Sequence, residues 1–94
     1  MVCAGGGAAG CMAASAAAEN GAEVTVFERN GEKHLCRKLG ITGKGRCNLT
    51  NACARDVFME NVPVNPRFLF AAFSQFPPEA VCEWFEAAGV PVKT

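Results

Sequence analysis

The start of the chain arranges apolar and small residues in the order strand, turn, helix, turn, strand. A short apolar run over residues 1–4 ends at three glycines, and residues 8–19 are almost all alanine, which favours a helix. An Asn-Gly pair then gives a helix-stop signal. Residues 23–28 are apolar and β-branched between two glutamates, and they predict a buried strand. The pattern therefore predicts one βαβ unit over residues 1–29.

The middle of the chain, residues 30–65, shows no helical or strand periodicity. It is polar and rich in glycine, and it is too long for a plain connection between two elements. Loops of this length are usually functional. We therefore expect residues 30–65 to form a functional loop region rather than a simple connection.

The tail, residues 66–94, returns to helical periodicity. Asn65 can cap a first helix, and Pro66 fits its first turn. A proline pair breaks this helix, a second helix begins near Pro78, and Gly89 ends it. The apolar positions at helical spacing are Leu69, Ala72, Phe73 and Phe76, followed by Val81, Trp84, Phe85 and Ala88. We expect this stripe to be core or a surface that packs on another domain.

Three glycines between the first predicted strand and helix have the spacing G-x-G-x-x-G: Gly5, Gly7 and Gly10. In this arrangement Gly5 allows a sharp turn, Gly7 lets a pyrophosphate approach the backbone, and Gly10 lets the helix pack closely. Glu28 follows at the carboxyl end of the second predicted strand, where a carboxylate can accept hydrogen bonds from a ribose hydroxyl. Its charge disfavours the 2′-phosphate of NADP at this position. The alternative is a Gly/Ala-rich turn in an ordinary α/β core.

These elements predict the α/β class and a Rossmann-like fold that binds FAD or NAD(P), in an incomplete form. Only two strands are predicted, whereas a parallel sheet normally has more strands and is covered on both faces. We therefore expect the chain to be the N-terminal part of the cofactor-binding domain of a larger enzyme. The alternative is a complete small α/β protein.

Charge is concentrated in one short segment. Nine Lys and Arg balance nine Asp and Glu over the whole chain, which argues against a general nucleic-acid or anionic-membrane surface. Residues 29–46 nevertheless hold six of the basic side chains and one acidic one: Arg29, Lys33, Arg37, Lys38, Lys44 and Arg46. This segment is either a solvated basic loop or a pocket for one small multivalent anion. The residues before it favour the anion pocket.

Six cysteines raise the question of zinc or disulfides. No pair has CxxC spacing, so no structural metal site is predicted. The small residues at the start imitate an export signal, but no Lys or Arg precedes Arg29. We therefore expect a cytoplasmic protein with reduced thiols. A redox pair beside a flavin is an alternative for Cys47 and Cys53, although five residues separate them and flavin disulfide reductases have four.

Two motifs together resemble a known family. GGGAAG at residues 5–10 followed by RKLGITGKGRCNLTN at residues 37–51 is similar to the BaiN-like NAD(P)/FAD-dependent oxidoreductases, which include aminoacetone oxidases. The second motif is the more specific of the two. The resemblance covers residues 2–92 and implies a Rossmann-type fold that binds FAD.

The resemblance also implies which residues hold the cofactor. Gly5, Gly7 and Gly10, with the backbone of Ala8 and Ala9, are expected to hold the pyrophosphate. Glu28 is expected to hold the adenosine ribose. The remaining expected contacts are Arg29 beside Glu28, Arg37 and Lys38 on the phosphate side, and Gly45, Arg46, Cys47 and Asn48 near the flavin.

The chain departs from the family pattern at three positions. Gly40 replaces a usual aliphatic residue, Cys11 a usual Leu, and Cys36 a usual Gly. The family is also several times longer than this chain, so its further strands, substrate domain and later flavin contacts are expected to lie elsewhere.

The sequence thus predicts an FAD-dependent oxidoreductase that acts on a small molecule, with NAD(P)H as a candidate electron donor. No catalytic acid or base can be assigned within it. One alternative is an NAD-binding dehydrogenase, which has no need of a long Gly/Arg loop after Glu28. A flavoprotein acting on RNA is disfavoured by the zero net charge. A non-catalytic nucleotide or redox sensor is the alternative of another class.

Overall fold

Two parallel strands joined by a helix form the beginning of the chain, in a computed structural model that describes residues 1–94. Strand β1 is Val2–Ala4, helix α1 is Ala8–Glu19 and strand β2 is Thr25–Phe27. The strands pair in parallel with Cys3 opposite Val26. Helix α1 packs on both strands. The predicted βαβ unit is confirmed.

Helix α1 ends where the Asn-Gly pair predicts. Gly21 has a φ of +87°, and its N–H donates to the carbonyl of Ala18 at 3.0 Å. The N–H of Ala22 reaches back to Ala17 at 3.0 Å. These two bonds are a Schellman motif, which satisfies the last helical carbonyls and favours glycine at the left-handed position.

The sheet is less buried than the apolar pattern predicts. Cys3 is 7% exposed and is the one buried apolar side chain of the strands, whereas Val2 and Phe27 are 63% and 62% exposed. The expectation of a buried second strand is therefore wrong within this chain. The reason is that the sheet has only two strands, so α1 cannot cover all of its faces.

Residues 30–65 contain short helices rather than a plain loop. A 3₁₀ turn at Glu32–His34 leads to helix α2 at Arg37–Ile41. A kinked turn at Thr42–Gly45, left-handed at Gly43 and Lys44, follows directly. Helix α3 is Arg55–Glu60. The sequence shows no periodicity here because each of these elements is under two helical turns long.

The chain divides into two compact units, Met1–Asn48 and Leu49–Thr94. The second unit is helical, with a 3₁₀ turn at Pro66–Leu69, helix α4 at Phe70–Gln75 and helix α5 at Pro78–Ala87. The two predicted tail helices are confirmed. Asn65 precedes the 3₁₀ turn in a left-handed conformation without a side-chain capping bond, so its predicted capping role is wrong.

Aromatic contacts organise the second unit. The rings of Phe58 in α3 and Phe73 in α4 lie 4.9 Å apart, and Trp84 packs edge-on against Phe85 in α5 at the same distance. Phe58 and Phe73 also line an open apolar groove of about 260 Å³ together with Leu69, Phe76 and Pro78. The aromatic stripe thus supplies the packing of this unit, although Phe76 remains 39% exposed.

Candidate nucleotide-binding site

The glycine turn connects β1 to α1 with a geometry that depends on two of its glycines. Gly5 has a φ of +116°, a region that side chains rarely adopt, and its N–H donates to Phe27 at 2.7 Å. A Cβ on Gly10 would clash with the carbonyl oxygen of Gly5. The chain therefore reverses sharply after β1, and α1 starts in direct contact with the turn.

Gly7 is the position in this turn that leaves space open. It stands at the N-cap of α1 with a φ of −83°, and an added Cβ would meet nothing within 4 Å. The first turn of α1 carries no side-chain cap and no acidic residue, and Ala8 and Ala9 in it are exposed. Free N–H groups at a helix start attract anions. The backbone here fits the pyrophosphate of a dinucleotide.

Glu28 lies at the edge of the same turn. Its Oε1 accepts a hydrogen bond from the N–H of Gly6 at 3.2 Å, and its Oε2 accepts one from the N–H of Asn30 at 2.7 Å. The carboxylate thus bridges the glycine turn and the segment after β2. Sequence spacing predicted Glu28 at the end of the second strand, and the fold brings its carboxylate to the glycine turn.

These two backbone donors also lower the pKa of Glu28. The bond from Asn30 is the larger cause, the bond from Gly6 comes next, and the charge of His34 acts in the same direction. A hydrogen bond to the ionised form favours that form. Glu28 is therefore a carboxylate at neutral pH, able to accept hydrogen bonds from ribose hydroxyls.

We predict that acid lowers the folding stability of the chain by protonating Glu28. Because its pKa is lowered by folding, its stabilisation is complete above the ordinary glutamate pKa of 4.5 and is lost as pH falls through the folded value. Thermal unfolding is followed by circular dichroism between pH 6 and pH 3. The melting temperature of the unsubstituted chain should fall more steeply with decreasing pH than that of Glu28→Gln. The other carboxyls are shared by both chains and cancel. Parallel curves would contradict the prediction.

Gly6 is a central residue of the turn that the fingerprint does not specify. It is buried, its N–H donates to Glu28, and its carbonyl oxygen accepts from the N–H of Cys36 at 2.7 Å. A Cβ there would clash with Cδ2 of Leu35. The fingerprint allows any residue at this position. The one signal in the sequence was that Gly6 stands between Gly5 and Gly7 in an unbroken run of three glycines.

The basic residues near the turn are exposed and unpaired. Arg37 and Lys38 lie in the first turn of α2, and Arg29 is exposed beside Glu28. The one salt bridge of the chain joins Arg55 and Asp56 at 4.0 Å, so these three cations are available to an anion. That they bind the cofactor remains a prediction.

Residues 42–48 form a separate tight turn. Gly43, Lys44, Gly45 and Cys47 all have φ values between +54° and +87°. The N–H groups of Arg46 and Cys47 donate to Gly43 and Thr42, each at 3.1 Å, and a Cβ on Gly43 would lie 2.7 Å from Oδ1 of Asn48.

The predicted flavin contacts all lie in this 42–48 turn: Gly45, Arg46, Cys47 and Asn48. Its backbone bonds stay within the turn, and none of its hydrogen bonds reaches residues 5–10. Its place beside the flavin therefore stays a prediction. The second cysteine of the alternative redox pair, Cys53, is a free thiol like Cys47.

A glycine turn between a parallel strand and a helix, with a carboxylate at the end of the next strand, defines a Rossmann-type nucleotide-binding domain. Comparison with protein families identifies the family within this class. All of residues 1–94 match the HI0933-like protein Rossmann domain, and the chain belongs to this family. The fold class and the BaiN-like resemblance predicted from the two motifs are confirmed.

The chain is also similar to a curated protein of Clostridium scindens, 3-dehydro-bile acid delta(4,6)-reductase. The two are 36% identical over 90 residues, which cover 96% of this chain and 22% of the reductase. The chain thus spans about a fifth of the length of this relative. None of its helices is both long and apolar enough to span a bilayer.

Proposed function

We propose that the chain holds the adenosine diphosphate part of FAD in an FAD-dependent oxidoreductase. The observation that carries this is the glycine turn with open space at Gly7 and a Glu28 carboxylate hydrogen-bonded to it. The turn offers backbone donors to the phosphates, and the carboxylate offers acceptors to the ribose. Membership of a Rossmann family and similarity to a reductase support the same function.

The residues of this chain bind and orient, whereas bound FAD supplies the redox chemistry as an acceptor and donor of hydride. We propose that the amides of Gly7, Ala8 and Ala9 hold the pyrophosphate, with Arg37 and Lys38 neutralising its charge. A guanidinium can do so through two parallel N–H donors. Glu28 repels a 2′-phosphate, so the site selects an unphosphorylated adenosine ribose.

The 42–48 turn is the proposed contact with the flavin end. Its left-handed glycines allow close backbone approach to a flat ring, and Arg46, Cys47 and Asn48 are exposed there. We propose that the whole enzyme is cytoplasmic and transfers electrons between NAD(P)H and a small molecule. The similar protein of Clostridium scindens is a reductase, which favours reduction of the substrate.

The test is a titration of the purified chain with FAD, ADP and FMN, followed by quenching of flavin fluorescence and by calorimetry. We expect FAD to bind, ADP to displace it, and FMN to bind at least tenfold more weakly because FMN lacks the adenosine and the pyrophosphate. ADP carrying a 2′-phosphate should compete poorly. Equal binding of FMN and FAD, or no displacement by ADP, would place the cofactor away from the glycine turn.

A further inference from the structure

The thiols of Cys11 and Cys36 lie side by side although 25 residues separate them. The two Sγ atoms are 3.4 Å apart, with the thiol of Cys36 donating to that of Cys11. The thiol of Cys11 in turn donates to the carbonyl oxygen of Gly6 at 3.6 Å. Both cysteines are only partly exposed. Neither belongs to the residues proposed to hold FAD.

The backbone holds the two thiols in this position from both sides. Cys11 lies in the first turn of α1, where its N–H donates to Gly7 at 2.9 Å. The N–H of Cys36 donates to the carbonyl oxygen of Gly6 at 2.7 Å. The glycine turn thus positions both residues, and their proximity follows from the fold rather than from rotation of one exposed side chain.

Cys47, Cys53 and Cys82 have no such neighbour. All six are free, and no hydrogen bond joins the Sγ atom of Cys47, Cys53 or Cys82 to another group. No group of three or more metal-ligating side chains gathers in the structure, so the pair has no third ligand. The chemistry left to two adjacent thiols is a disulfide.

We propose that Cys11 and Cys36 form a reversible disulfide by exchange with a low-molecular-weight disulfide such as oxidised glutathione. One thiolate attacks a glutathione sulfur, which forms a mixed disulfide and releases one glutathione thiolate. The second protein thiolate then attacks the protein sulfur of the mixed disulfide and releases the second glutathione. The protein loses two electrons and two protons, and oxidised glutathione gains them as two thiols.

The geometry needs little change for this bond. The sulfurs must close from 3.4 Å to the S–S bond length of roughly 2.0 Å. The new bond joins α1 to the residue before α2 and closes a long loop, which restricts the unfolded chain. It also removes the thiol donor from the carbonyl of Gly6. Oxidation therefore stiffens the connection between the glycine turn and the segment that precedes Arg37.

The surroundings of the Cys11 thiol raise its pKa and so affect how the pair responds to pH. The hydrogen bond with Cys36 is the main cause that raises the pKa of the Cys11 thiol, followed by burial and by nearby Cys3 and Glu28. A thiol must lose its proton before it can attack. Exchange is therefore faster at pH 9 than at pH 7.

The test is oxidation of the reduced chain with excess oxidised glutathione, followed by alkylation of the remaining thiols and peptide mass spectrometry. We expect a Cys11–Cys36 link that dithiothreitol reverses. Cys3 and Cys11 share the tryptic peptide 1–29, so fragmentation must place the link at Cys11. Cys11→Ser and Cys36→Ser should abolish the link, and Cys82→Ser should leave it intact.

A thermal melt gives a second readout. The oxidised chain should unfold at least about 5 °C above the reduced one. The difference should vanish in Cys36→Gly, which removes the thiol and suits the left-handed φ of 53° at this residue. A stable mixed disulfide with glutathione, a link to another cysteine, or equal melting of both forms would overturn the proposal.

Discussion

Gly7→Val is expected to weaken FAD binding at least 100-fold, about 2.7 kcal/mol, while the chain stays folded. Gly7 has an extended backbone that valine can adopt, and an added Cβ meets nothing within 4 Å. The valine side chain would instead fill the space through which phosphates approach the amides of α1. Fluorescence titration with FAD measures the affinity, and circular dichroism checks the fold.

Gly40→Val is the matched control for this change. Gly40 lies in α2, and an added Cβ there also meets nothing within 4 Å. The same side chain is added in open space, so FAD affinity should change less than twofold. If Gly7→Val bound FAD as tightly as the control, the phosphates would lie elsewhere. If it unfolded, the space at Gly7 would not be open.

Gly10→Ala is expected to destabilise the chain by about 2–3 kcal/mol, the largest stability effect of any single methyl group added to the turn. The new Cβ would clash with the carbonyl oxygen of Gly5, which is backbone and cannot rotate away. Either α1 must retreat from the turn or β1 must shift. Both responses strain the backbone hydrogen bond from Gly5 to Phe27 at the end of the sheet. Urea unfolding measures the loss.

The control for Gly10→Ala is expected to raise stability instead of lowering it. Gly40→Ala adds the same methyl group inside α2 without any contact, and alanine is the better helix former. We expect a gain of roughly 0.5–1 kcal/mol. Equal stability of the two variants would mean that α1 does not lie against the turn as the structure places it.

Signals between residues close in sequence were enough to predict most of the secondary structure and the family of this protein. The glycine spacing, the alanine-rich helix and its Asn-Gly stop are local signals, and each predicts its element within a few residues. The two motifs at residues 5–10 and 37–51 also sufficed for the family. Short helices such as α2 escaped prediction because two turns or fewer leave no period to detect.

The tertiary structure alone decided which distant residues meet. The hydrogen bond from Gly6 to Glu28 and the contact of Cys11 with Cys36 join positions more than 20 residues apart. No periodicity records such pairs, since they arise when parallel strands bring their carboxyl ends to one edge of the sheet. Exposure of Phe27 was likewise decided by the number of strands in the sheet, because an apolar strand is buried only where another layer covers it.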